Sequence, residues 1–274
     1  MRSLPLLLTC LGLSVFVCSQ EPKDVDTAKE VTGFYLGGFG GVGFVEITST
    51  QKGAALYSDY KPSYMGSIDV NASGTSSNHC LGLGGLHFGY EWYKTSDKKV
   101  WLSPGVECET LYFAQEQQVL LDNPYSVSSG VDFHHFEDSF PTRNWGFLVN
   151  FVLSLENPYL TPYVSAGFGH QIIWIHDAYA DQIEPAEPGI NHFNGKTHAH
   201  DWVCAAQFKG GIRRAFWKHY RFFAEYRLLY NAKANFELGP AEYPITVHRP
   251  TTLWQVGFDS TYYNTVVFGV DFMW

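Results

Sequence analysis

Counted back from residue 274 in steps of two, the chain is apolar at every step: Trp274, Phe272, Val270, Phe268, Val266. Between them stand Met273, Asp271, Gly269, Val267 and Thr265. A period of two with one wholly apolar face predicts a strand shielded from water on one side only. The pattern recurs in residues 144–155. There Trp145, Phe147, Val149, Phe151, Leu153 and Leu155 alternate with Asn144, Gly146, Leu148, Asn150, Val152 and Ser154. Six further segments follow it less cleanly. Gly33–Val45 groups Phe34, Leu36, Val42 and Phe44. Leu81–Tyr93 sets Leu86, Phe88, Tyr90 and Trp92 against His87 and Glu91. Val100–Phe113 sets Val100, Leu102, Val106 and Cys108 against Glu107 and Glu109. Tyr159–Trp174 groups Val164, Ala166, Phe168, Ile172 and Trp174. Trp202–Arg213 sets Trp202, Cys204, Ala206, Phe208 and Ile212 against Gln207, Lys209 and Arg213. Tyr220–Tyr230 sets Tyr220, Phe222, Tyr226, Leu228 and Tyr230 against Arg221, Glu225 and Arg227. Leu81 and Leu83 break the parity of their segment, and Gly84-Gly85 beside them predicts a bulge.

Eight strands result, and their links alternate in length. Thr95–Lys99, Asn157-Pro158 and Trp217–His219 are short. Glu46–Cys80, Ala114–Thr142, Ile175–Asp201 and Asn231–Asn264 are long. Short turns on one rim and long loops on the other predict an all-β, eight-stranded antiparallel transmembrane β-barrel. Thr252–Phe258 is a further strand-like run. Alone it would leave the two ends of the barrel on opposite rims, so it is assigned to an extension beyond the membrane. A ten-stranded barrel requires a second strand hidden in a loop.

Alternation does not say which face points outward, and a soluble lipocalin-like barrel alternates too. Composition decides it. Aromatic residues make up 17% and charged residues 16% of the chain, yet mean hydropathy is only −0.14. A soluble domain carries roughly 25% charged residues. Polar faces turned inward carry Glu91, Glu107, Glu109, Lys209, Arg213, Arg221, Glu225, Arg227 and Asp271, both signs together, and a closed lumen pairs them. The reverse arrangement would crowd the rings into an eight-stranded interior, which side chains of ordinary size already fill. Trp and Tyr also mark strand ends, at Trp92, Tyr93, Trp101, Trp145, Tyr159, Trp174, Trp202, Tyr220, Tyr230 and Trp274, as the two surfaces of a bilayer favour.

Met1-Arg2, the apolar run Leu4–Val17 and the small residues around Ser19 predict an export signal over 1–19. A charged lead over 20–32 follows, then the barrel over 33–274. Cys18 fits a lipoprotein motif poorly, because Phe16 and Val17 precede it. Cys80, Cys108 and Cys204 then remain, an odd number that makes no disulfide framework. The net charge of −9 without basic runs argues against nucleic acid as a partner. Histidines concentrate in the long links. His198 and His200 share a face near Asp177, Asp181, Glu184, Glu187 and Asp201, a set with metal-ligand character that solvated loop residues would also present.

Gly33-Phe34-Tyr35-Leu36-Gly37-Gly38-Phe39-Gly40 resembles the first strand of the OmpA/OmpX-like, opacity-related outer-membrane barrels. Tyr163–Gly169 resembles their glycine-rich fifth strand, and Val266–Trp274 their closing strand. The resemblance covers residues 33–274 and is specific for architecture rather than for activity. It implies the bacterial outer membrane, with lipids and lipopolysaccharide as neighbours. It implies that Phe268, Val270, Phe272 and Trp274 form the signal read by the barrel-assembly machinery, although Trp is a less common last residue than Phe. No peptidoglycan-binding domain follows the barrel, so a cell-wall tether is not implied. The expected role is a surface antigen whose loops meet host molecules or support the envelope, without cofactor or catalysis. Lipid-modifying barrels need a nucleophile near the outer rim, and no matched serine is visible. His170 is the strand histidine at that height and is expected to face the lumen. The interior charges are expected to close the lumen; the competing reading is a narrow ion path.

Overall fold

The computed structural model describes residues 33–57, 66–76, 79–92, 101–123, 134–156, 159–184, 186–244 and 250–274. The expected export signal and lead, and the links at 95–99 and 157–158, lie outside them. Among the described residues thirteen strands follow one another: β1 (Phe34–Val45), β2 (Thr48–Tyr57), β3 (Gly66–Thr75), β4 (His79–Glu91), β5 (Trp101–Asn123), β6 (His134–Glu156), β7 (Thr161–Ile175), β8 (Tyr179–Glu184), β9 (Ala199–Trp217), β10 (Tyr220–Asn231), β11 (Ala234–Leu238), β12 (Trp254–Phe258) and β13 (Thr261–Met273).

Eight of them form a closed ring of antiparallel pairs. β1 pairs β4, β4 pairs β5, β5 pairs β6 and β6 pairs β7. β7 pairs β9, β9 pairs β10, β10 pairs β13, and β13 returns to β1. Closure leaves no unpaired edge, the condition a β-structure must meet to cross lipid. Outward side chains along the lower part of this wall are large and apolar: Leu36 and Phe44 on β1, Phe88 on β4, Phe147 and Phe151 on β6, Phe168 on β7, Phe208 on β9, Phe268 on β13. The nine predicted interior charges are all at most 5% exposed. The wall is therefore apolar outside and polar inside, the polarity of a transmembrane barrel.

Above the loop-side limit of this belt the polarity inverts. On β5 the outward residues are Leu102 and Cys108 below but Glu116, Gln118 and Asp122, with Leu120 among them, above. The inward residues of the same strand are Glu107 and Glu109 below; above, Val119 and Leu121 stand between the neutral Gln117 and Asn123. Register runs unbroken across the change, from Trp101↔Glu156 to Asn123↔His134. Only the surroundings change, from lipid outside to water outside, so the apolar residues move to the other face.

These upper halves join the strands of the long links in a second storey. β11 pairs β12, β12 pairs β2, β2 pairs β3, β3 meets β5 at Ser73↔Asp122, and β6 pairs β8. Residues 191–196 finish the circuit. His192 N–H donates to the Ala180 carbonyl at 2.9 Å, Gly195 N–H to Pro240 at 3.1 Å and Gly239 N–H to Lys196 at 2.8 Å. The interior is packed with Phe136, Phe140, Phe193, Phe236, Trp254 and Phe258. Burial of each such side chain contributes about 1.5–3 kcal/mol. Thr252–Phe258 thus supplies an element outside the membrane wall, as expected.

Two expectations are corrected. No bulge interrupts Gly84-Gly85, where register is continuous on both sides. Leu81 and Leu83 fall on the interior parity because the upper lumen is apolar, which needs no extra residue. The segments Ala114–Asn123 and His134–Thr142, expected within a loop, are paired strand.

Candidate functional site

The lower lumen collects every charged residue that parity placed inside. Lys209 Nζ lies 2.8 Å from Glu109 Oε2 and also contacts Glu107. Arg227 Nη1 reaches Glu109 Oε1 at 2.6 Å, and its Nε bonds Glu225. Arg221 joins Glu91 at 2.8 Å and Asp271 at 2.9 Å. Arg213 holds the other Glu91 oxygen and lies 3.8 Å from the Tyr163 ring centroid. Each acid thus faces a cation in the buried interior, where breaking one pair costs far more than it would at the surface.

Residues absent from the predicted set complete the network. Tyr35 Oη donates to Glu107 at 2.9 Å, and Tyr163 donates to Glu225. Asn150 donates to Glu107 at 3.0 Å, and Gln207 donates to Asn150 at 2.7 Å. His87 stands with Nε2 2.6 Å from Asp271 and Nδ1 3.7 Å from Glu107. The interior parity of their strands was the available signal; neutral polar side chains do not stand out in a charge count.

His87, Glu107 and Glu109 bring three possible ligand atoms within 4.8 Å of one another, the geometry of a small metal site. Lys209 bonds both of the carboxylates, so an ammonium already occupies the place a cation would take. Above the charges come Leu81, Leu83, Leu111, Phe113 and Leu229, then an uncharged polar layer with Gln115, Thr142, Asn144 and Asn231. The cavities in these two layers measure about 10 Å³ each, the space of one water apiece. Charged, apolar and amide-bearing layers thus follow one another along the described lumen.

No family model and no curated protein matches the chain. Among solved structures it is similar to Neisserial surface protein A, with TM-score 0.36 and 12% identity over 89% of this chain and 98% of that one. It is similar to the outer-membrane protein OprG of Pseudomonas aeruginosa, with TM-score 0.47 and 15% identity over 88% and 97%. It is similar to the attachment invasion locus protein Ail of Yersinia pestis, with TM-score 0.26 and 12% identity over 85% and 98%. The barrel architecture rests on the eight strand pairings themselves.

The remaining predicted residues lie on outer surfaces. Phe268, Phe272 and Trp274 are exposed on the outer face of β13, and Val270 shares that face half-buried. The Trp274 ring lies 6.1 Å from Phe88 and 5.9 Å from Phe272. His198 and His200 are exposed on either side of buried Ala199. Among the described residues no trio of metal-ligating side chains forms around them. His170 is corrected: it is exposed on the outer face with Phe168, opposite Cys204 on β9. Strand parity carries both outward, and no bulge at Gly169 turns His170 in.

Proposed function

We propose that this protein is a sealed outer-membrane anchor that presents a folded storey to the cell's surroundings. The observation that carries this reading is the storey's own core, where Phe136, Phe140, Phe193, Trp254 and Phe258 close over the barrel mouth. A conduit leaves its mouth open; a platform gains rigidity by filling it. The exposed face of β5, β6 and β8 bears Glu116, Asp122, Glu137 and Glu184, which suits a basic partner on a host molecule. Lipids and lipopolysaccharide surround the belt, and the outer face of β13 serves as the assembly signal. No catalytic role is proposed.

The test is a bacterium that expresses either the full chain or a variant whose β5–β6 hairpin is shortened to the membrane belt. The reading expects equal amounts of folded barrel, with cell adhesion or serum survival lost only in the variant. Unchanged adhesion and survival in the variant would reject it. A second expected outcome concerns transport. The purified protein in a planar bilayer should give no steady conductance, and reproducible open channels would contradict the sealed lumen.

A further inference from the structure

Asp138 is 0% exposed at the centre of the upper storey. Its register partners are Val119 on β5 and Ala180 on β8. Along β6 it stands between Phe136 and Phe140, which cross the storey to Trp254 at 6.3 Å and Phe258 at 5.4 Å. Between those two rings on β12 is Val256, paired with Gln51 of β2, so Asp138 and Gln51 point into one layer. Neither carboxyl oxygen of Asp138 has a hydrogen-bond partner, and Gln51, Gln117 and Ser49 are equally buried and unpartnered.

An isolated carboxylate in such surroundings takes up a proton rather than stay charged. The buried polar side chains on the neighbouring strands of the storey are Ser49 and Gln51 on β2, Gln117 on β5, Gln182 on β8 and the Trp254 indole on β12. His192 closes the side, its ring 5.6 Å from Phe136, with Nδ1 3.2 Å from the Ala180 carbonyl and Nε2 3.3 Å from Glu187. None of the described lysines, arginines or histidines pairs with Asp138.

We infer that Asp138 is a proton-operated latch: protonated it locks the upper storey shut, and its ionisation loosens the storey while the membrane barrel below stays closed. Burial without a partner pushes its carboxyl well above the ordinary carboxylate range. The sign follows. The folded storey holds the proton more tightly than the opened one. The proton's contribution is therefore whole below the carboxyl's unfolded pKa. It is lost as pH rises from there towards the folded value. The storey is firmest in acid. The surface it presents is then regulated by the pH of the surroundings, which goes beyond simple presentation.

The test is hydrogen exchange of amides 114–123 and 134–142 in the full folded protein in detergent micelles, corrected for intrinsic exchange. The storey's opening constant should rise about tenfold per pH unit across that window. Asp138→Asn should flatten this slope and raise protection at neutral pH, with exchange in the membrane belt unchanged. Difference infrared spectroscopy should show the stretch of a protonated carboxyl in isotope-labelled native protein, whether or not the variant folds. Equal slopes in native and variant protein would overturn the latch, as would absence of that band. Protection that depends on added sodium or calcium instead of pH would assign the carboxylate to a cation and overturn it too.

Discussion

At the scale of single residues, the lumen shows how a sequence with few charges uses them. Lys209 bridges Glu107 and Glu109, and Arg227 continues from Glu109 to Glu225. Removing the shared cation leaves two buried carboxylates short of a partner. Lys209→Met should therefore destabilise the folded barrel by about 3–5 kcal/mol, the usual penalty for breaking a buried pair. Urea unfolding in detergent, followed by tryptophan fluorescence, measures it. Adding Glu107→Gln to that variant should recover part of the loss, because one uncompensated charge disappears. A loss below about 1 kcal/mol would mean that water reaches the pair as it does at a surface. Glycine has a definite place in this packing at Gly89, where a Cβ would meet the Tyr35 ring that serves Glu107.

Elements show where sequence periodicity succeeds and where it stops. Barrel strands were legible because lipid imposes one rule, apolar outward, along each wall segment. Even residues 102–108 on β5 and odd residues 145–155 on β6 follow it without exception in direction. The charge network was legible for the same reason, since all nine charges share the inward parity. The upper storey was hidden because β5 and β6 pass from lipid into water without a break in register. Their apolar face then switches sides, and a window spanning the switch loses its period. Leu81 and Leu83 on β4 gave the same signal, which resembles a bulge in sequence. His192, Asn191 and Gly195 close the storey through hydrogen bonds among irregular residues, which no periodicity reports. Because this storey has its own core, Phe140→Ala should cost about 3–5 kcal/mol there. The expected readout is faster hydrogen exchange at 114–123 and 134–142 with little change in β10 and β13. Equal acceleration throughout would show that storey and barrel open as one unit.

The whole molecule combines two barrels of opposite polarity on shared strands. Below, lipid surrounds an apolar wall and the interior is ionic; above, water surrounds a largely polar wall and the interior is an aromatic and aliphatic core with a few buried polar side chains, Asp138 among them. In the proposed function each half fills the lumen in its own way, and the upper half supplies the presented surface. Everything proposed about presentation, sealing and the Asp138 latch depends on the ring closing between β1 and β13, the first and last strands of the chain. The measurement that tests this directly is gel mobility in SDS of protein from cell envelopes, run with and without prior heating. Closed barrels resist SDS, so the account predicts a heat-dependent shift for protein found in the outer-membrane fraction. The same shift should be lost when Asp271, which holds Arg221 at the β10–β13 seam and His87 on β4, is replaced together with Glu91. Protein that stays soluble in the periplasm and migrates identically before and after heating would contradict the account.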